Sequence, residues 1–108
     1  MPTFIPTTHD IEEKKRFLRG ISHKLLENKI EALRLNIERR ALKKQLNELS
    51  RYPILTFYAV MVQKQLEDNK KLMDLIAEEQ KTLKYNHSVY SHKLCNDITL
   101  FRLHHERQ

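Results

Sequence analysis

The residues best equipped for chemistry in this 108-residue chain are its six histidines and its one cysteine, and three of them, His87, His92 and Cys95, fall close together. Imidazole and thiolate are the ligands zinc prefers, but a structural zinc site needs four of them and a catalytic site three plus water. On a helix only His92 and Cys95, three apart, share a face; His104 and His105 are adjacent and diverge, and no second cluster completes the set. Cys95 as a nucleophile would need a base, oxyanion donors and a pocket, none of which a glycine-poor helix supplies. The acid pairs Glu12–Glu13 and Glu78–Glu79 are sequence neighbours, not facing partners, which is the pattern of a solvated helix surface. The chain is therefore expected not to be an enzyme, with no catalytic residue, metal, cofactor or small-molecule substrate.

Cations are the remaining chemical resource. Lys+Arg 20 against Asp+Glu 14 gives a formal net charge of +6, and residues 1–53 hold 12 basic and 7 acidic groups where residues 54–108 hold 8 and 7. An anionic partner is thus expected to meet the first half. Lys14, Arg19, Lys24, Lys29, Arg34, Arg39 and Lys44 recur every fifth residue, but each step turns about 140° around a helix, so the series spirals and makes no stripe. Arg39, Arg40, Lys43, Lys44 and Arg51 fall on one broad face and form the candidate nucleic-acid surface, one that would track phosphates with salt-dependent, sequence-blind affinity. Double-stranded RNA suits such a surface, because paired long helices can lie across its grooves and read shape. In length, charge and predicted architecture alone, the chain is similar to viral suppressors of RNA silencing that bind duplex RNA as dimeric helical bundles. Glu38 and Glu48 interrupt the basic run.

The elements that must carry these groups are two long helices. Pro53 is the only proline after Pro6 and Gly20 the only glycine, while charge stands at 31% and aromatics at 7%, the balance of helical chains. Residues 1–9 read as an extended arm whose Phe4 and Ile5 dock on a neighbour, and residues 10–108 as a single helical-hairpin domain. Asp10 with Glu13 makes a capping-box-like start, so the first helix is predicted from Asp10 to Leu49, with Gly20 costing about 1 kcal/mol in its interior or marking a close approach or bend. Ser50, Arg51, Tyr52 and Pro53 form the corner. Ile54 to Val62 is rich enough in branched and aromatic residues to be a short buried strand, but the downstream pattern favours a second helix. One heptad position runs through Ala59, Leu66, Met73, Gln80, His87, Leu94 and Phe101, the other through Leu55, Val62, Asn69, Ile76, Leu83, Tyr90 and Asp97. Tyr85 to Ser88 has weak helix propensity, and a third helix from Ser88 to Arg107 stands as the alternative to the favoured continuous one.

On the first helix, at 100° per residue, Ile11, Leu18, Ile21 and Leu25 share one face, Leu26, Ile30, Leu33 and Ile37 a second, and Leu35, Leu42, Leu46 and Leu49 a third. One partner helix cannot cover all three. The expected fold is all-α, a long antiparallel helical hairpin of coiled-coil type, completed by oligomerisation into a helical bundle. The expected function is that of a non-catalytic interaction or structural subunit whose partner is itself, as a homodimer or higher, or another helical protein, with the duplex-RNA binder as alternative. The candidate partner interface is Leu55, Tyr58, Val62, Leu66, Met73, Ile76 and Leu83, together with an apolar patch beside the corner. A single cysteine, no export signal and no apolar run approaching about 20 residues point to a cytoplasmic or nuclear setting without a transmembrane segment.

Overall fold

The computed structural model describes residues 5–106, so Phe4 of the arm and Arg107 lie outside the described residues. The fold is all-α and pairs two long helices antiparallel: α1, Thr8–Leu49 (42 residues), and α2, Thr56–Glu106 (51 residues), joined by a corner containing the 3-10 turn Pro53–Leu55. The stretch 54–62 forms the last two residues of that turn and the start of α2, with no strand among the described residues. Helix α2 passes unbroken through Tyr85, Asn86, His87 and Ser88.

Helix α1 begins earlier than Asp10. Thr7 is the cap: its hydroxyl oxygen accepts from the Asp10 backbone N–H at 3.1 Å while the Asp10 carboxylate accepts from the Thr7 N–H at 2.8 Å. This reciprocal pair satisfies donors that a helix start leaves orphaned, with Asp10 in the third helical position and not at the cap. Gly20 meets no heavy atom within 4 Å of where a Cβ would stand, so it is an interior glycine in open space and not a point of close helix approach.

At the corner, Ser50 returns both its N–H (2.9 Å) and its hydroxyl (2.7 Å) to the Leu46 carbonyl, and Tyr52 N–H reaches the Leu49 carbonyl at 3.1 Å. Tyr52 is extended, φ −123° and ψ 102°, as the residue before a proline must be when the ring crowds its helical conformation. Pro53 then opens the 3-10 turn, where its missing N–H leaves no bond unmade, and the Thr56 hydroxyl caps back to the Pro53 carbonyl at 2.5 Å.

Both heptad registers of α2 face inward: every position in them is buried or half-buried. On α1 the same holds for Ile11, Lys14, Leu18, Ile21, Leu25, Asn28, Ala32, Leu35, Arg39, Leu42, Leu46 and Leu49, which alternate three and four apart. The first and third apolar faces of the sequence reading are therefore one seam. A heptad stripe drifts about 20° per repeat around a straight 3.6-residue helix, and over five repeats that drift makes its two ends look like different faces. The second face, Leu26, Ile30, Leu33 and Ile37, stays exposed.

The chain divides into two compact units. The corner unit is Glu27–Gln80; the terminal unit combines Met1–Leu26 with Lys81–Gln108. In the corner unit the buried apolar side chains are Leu35, Leu42 and Val62, with Asn28 and Asn69 buried among the seam positions. In the terminal unit they are Pro6, Ile11 and Ile21, with Asp97.

Candidate interaction surfaces

Within the terminal unit, two polar seam positions, Lys14 and Asp97, are matched to each other. Lys14 Nζ donates to Asp97 Oδ2, with the two side chains only 23% and 10% exposed. Phe17 stacks at a tilt on Tyr90, centroids 4.3 Å apart, and Lys93 Nζ lies 5.0 Å from the Tyr90 ring centre. An open groove lined by Asp10, Glu13, Lys14, Arg16, Phe17 and Tyr90 results, its walls of mixed charge. Further along α2, Lys84, His87, Ser88, Ser91, His92 and Cys95 line a shallow depression, where Ser91 Oγ and His87 Nδ1 are 3.5 Å apart. Cys95 is an exposed free thiol, and among the described residues no three metal-binding side chains converge.

In the corner unit, five of the residues expected to meet a partner, Leu55, Val62, Leu66, Met73 and Ile76, are turned into the seam against the chain's own α1, and Leu83 occupies the equivalent position in the terminal unit. Only Tyr58 is exposed, at 56%. Two other apolar surfaces of the corner unit are left uncovered. One is the outer face of α1, where Ile30, Leu33 and Ile37 are 60%, 63% and 68% exposed. The other is the corner itself, where Tyr52, Ile54, Phe57, Val60 and Met61 join Tyr58, and Ile54 is 91% exposed. The first of these was legible as the second apolar face of the helix. The second corresponds to the apolar run after Pro53.

The cations divide in the same way. Arg39 takes a half-buried seam position, while Arg40, Lys43, Lys44 and Arg51 are exposed. Arg34, by contrast, is engaged on both sides: its Nε donates to Glu31 at 3.0 Å and a terminal nitrogen donates to Glu38 at 3.4 Å. The hydrogen bonds from Arg34, with its charge, hold the Glu31 carboxyl below its ordinary value, and Glu31 in turn raises Arg34. Glu38, read from sequence as an interruption of the basic run, thus has Arg34 as its partner, and from Arg39 onward toward the corner the positive charge is unbalanced except by Glu48.

Compared with protein-family models, with curated proteins and with solved structures, the chain matches none. Among the described residues no helix is long and apolar enough to cross a membrane. The structure thus defines a class, an all-α helical hairpin with exposed apolar surface of the kind a protein partner or a second copy covers.

Proposed function

We propose that the chain is a non-catalytic helical interaction subunit that works by self-association or by docking onto another helical protein. One observation carries this reading: Ile30, Leu33 and Ile37, three and four apart on the outer face of α1, repeat the spacing of a packed seam yet lie more than half exposed. Apolar residues in that spacing on a helix whose opposite face is already paired are the complement of another helix. Burying one such side chain contributes roughly 2 kcal/mol, so the six of a symmetric pair contribute about 12 kcal/mol. Association costs about 4–15 kcal/mol, which makes a pairing through this face alone weak. Sedimentation of the full chain across a concentration series up to tens of micromolar should show reversible association, and Leu33→Asp with Ile37→Asp should abolish it without loss of helicity. A monomer at every concentration would remove self-association, and unchanged association in the double variant would remove this face.

The second reading, a binder of duplex RNA, is supported by the exposed cations Arg40, Lys43, Lys44 and Arg51. A duplex should then shift in a gel at moderate salt and lose the shift in Arg40→Glu with Lys44→Glu. No shift at low salt counts against it.

A further inference from the structure

We infer that the corner of the hairpin is a wedge that docks on an anionic lipid surface, a property independent of the self-association through α1. Two segregations meet there. Residues 39–66 hold six basic side chains against one acid, Glu48, a surplus of five in a chain whose formal net charge is +6. The same stretch carries Tyr52, Ile54, Phe57, Tyr58, Val60 and Met61, all among the exposed large hydrophobic residues, with Ile54 at 91% and Phe57 at 71%.

Apart from Arg51, which is exposed in the corner beside Tyr52, the two sets are layered in height. Asn69 hydrogen-bonds the Leu35 carbonyl, which sets those residues level. Eight residues further toward the corner along α1 is Lys43, and eight along α2 is Met61, so these two are level as well. From there to the ends of the helices at Leu49 and Thr56 is about 8–9 Å at 1.5 Å per residue. Phe57, Tyr58, Val60 and Met61 occupy that last 8–9 Å, Tyr52 and Ile54 lie beyond it in the corner, and Lys43 and Lys44 stand at its upper edge with Arg40 about one turn above. Interfacial helices bury their apolar face about 5–10 Å into the boundary between headgroups and acyl chains, with lysine and arginine at the phosphates. The depth of the wedge and the position of its cationic collar match that layering. Tyr58, three residues from Met61, suits the headgroup level, where a phenol ring keeps one wet end. The last turn of α1 is polar, with Gln45, Asn47 and Glu48 exposed, so the helical part of the apolar tip comes from the first two turns of α2.

Charge complementarity selects an anionic surface, and side-chain chemistry selects lipid over nucleic acid. Ile54, Val60 and Met61 offer no π-face for a base to stack on, whereas each gains by transfer into acyl chains.

The test is co-sedimentation of the full chain with phosphatidylcholine vesicles, with and without phosphatidylserine. Binding is expected only with phosphatidylserine and should weaken as salt rises. Each basic residue near such a surface is worth about 1 kcal/mol, so Lys43→Gln with Lys44→Gln should lower the partition coefficient about 30-fold. Ile54→Ser with Phe57→Ser should also release the chain, and because both side chains are exposed the helicity should be unchanged. Glu48→Gln should tighten binding, and Leu33→Ser with Ile37→Ser, which leaves the net charge unchanged, should leave it as it is, which separates this surface from the self-association face. Equal binding to both vesicle types, no binding at low salt, or indifference to either the cation pair or the apolar pair would overturn the proposal. So would duplex RNA binding that depends on Lys43 and Lys44 while the vesicles are ignored.

Discussion

Replacing Asn69 by leucine should stabilise the corner unit, although it deletes a hydrogen bond. Asn69 is 2% exposed, its Nδ2 donates to the Leu35 carbonyl at 3.0 Å, and its Oδ1 has no partner among the described residues. Losing the hydrogen bond costs about 1 kcal/mol, and removing a buried unsatisfied acceptor returns about 1–3 kcal/mol. The Leu35 carbonyl lies mid-helix and keeps its intrahelical donor. A leucine at this depth adds about 2 kcal/mol of burial, and its extra bulk beside a Leu35 that is 1% exposed gives back about 1 kcal/mol in strain. The net gain is about 2 kcal/mol, or on the order of 10 °C in melting temperature for a unit of this size. Urea and thermal melts followed by helicity measure it directly, provided the denaturant slope stays constant between variants. The gain should come with a loss: a buried amide in a heptad seam fixes register, so the leucine variant should sediment as more than one species. A midpoint below that of the parent chain would refute the reasoning, because it would mean the amide's one bond outweighs both its orphaned oxygen and the missing apolar contact. Asn69→Asp gives the opposite control, since it puts a charge at a position only 2% exposed and should destabilise the unit.

In the terminal unit, Lys14→Ala strands Asp97, whose side chain is 10% exposed, and should cost about 2–3 kcal/mol, while Lys14→Met with Asp97→Leu should recover most of it in the same melts. If the single variant is neutral, the ion pair does not hold the seam. Gly20→Ala should raise the melting temperature through about 0.5–1 kcal/mol of backbone entropy and helix propensity, because nothing lies within 4 Å of the added methyl; a lower temperature would reveal a neighbour at that position. The Thr7 cap makes a pH prediction. Its backbone N–H, and then its hydroxyl, hold Asp10 below the ordinary carboxyl value. The stabilisation is therefore complete above the unfolded value, about 3.9, and lost as pH falls through the lower folded one. Thr7→Ala should move the Asp10 titration upward in an NMR carboxyl experiment, and an unmoved titration would show the hydroxyl contributes nothing.

The fold was legible because its signals are local and repeated. Pro53 with an extended Tyr52 could only be a break, and the heptads from Leu55 and Ala59 to Asp97 and Phe101 mark the buried face of α2 position by position. Two things were hidden for physical reasons. Reading α1 at 100° per residue split one drifting seam in two, because Lys14, Asn28 and Arg39 interrupt it where apolar residues would have shown its continuity. The partner surface was placed on Val62, Leu66, Met73 and Ile76 because those are the best heptad residues of α2, yet the best heptad residues are the ones the chain's own α1 covers. Periodicity reveals that a face is buried, and only the pairing of helices reveals against what. The start of α1 shows the same limit at small scale: Asp10 is a capping residue in type, but the donor geometry puts Thr7 at the cap.

The distribution of polarity bears on why such a hairpin would need a partner. Its seam carries Lys14, Asn28, Asn69 and Asp97, two of which leave a buried amide atom unpartnered among the described residues, while Ile30, Leu33, Ile37, Ile54 and Phe57 remain outside. A helix pair built for stability alone would do the reverse. Polar seam groups give up stability in exchange for register, because a slip of one heptad would separate Lys14 from Asp97 and Asn69 from the Leu35 carbonyl. That fixed register is what aligns the outer features: it keeps Lys43 level with Met61, and so sets Lys43 and Lys44 at the upper edge of the apolar segment of α2. On the proposed reading the seam is therefore specified more than it is stabilised, and the apolar area missing from it is displayed where a second surface can supply the remainder.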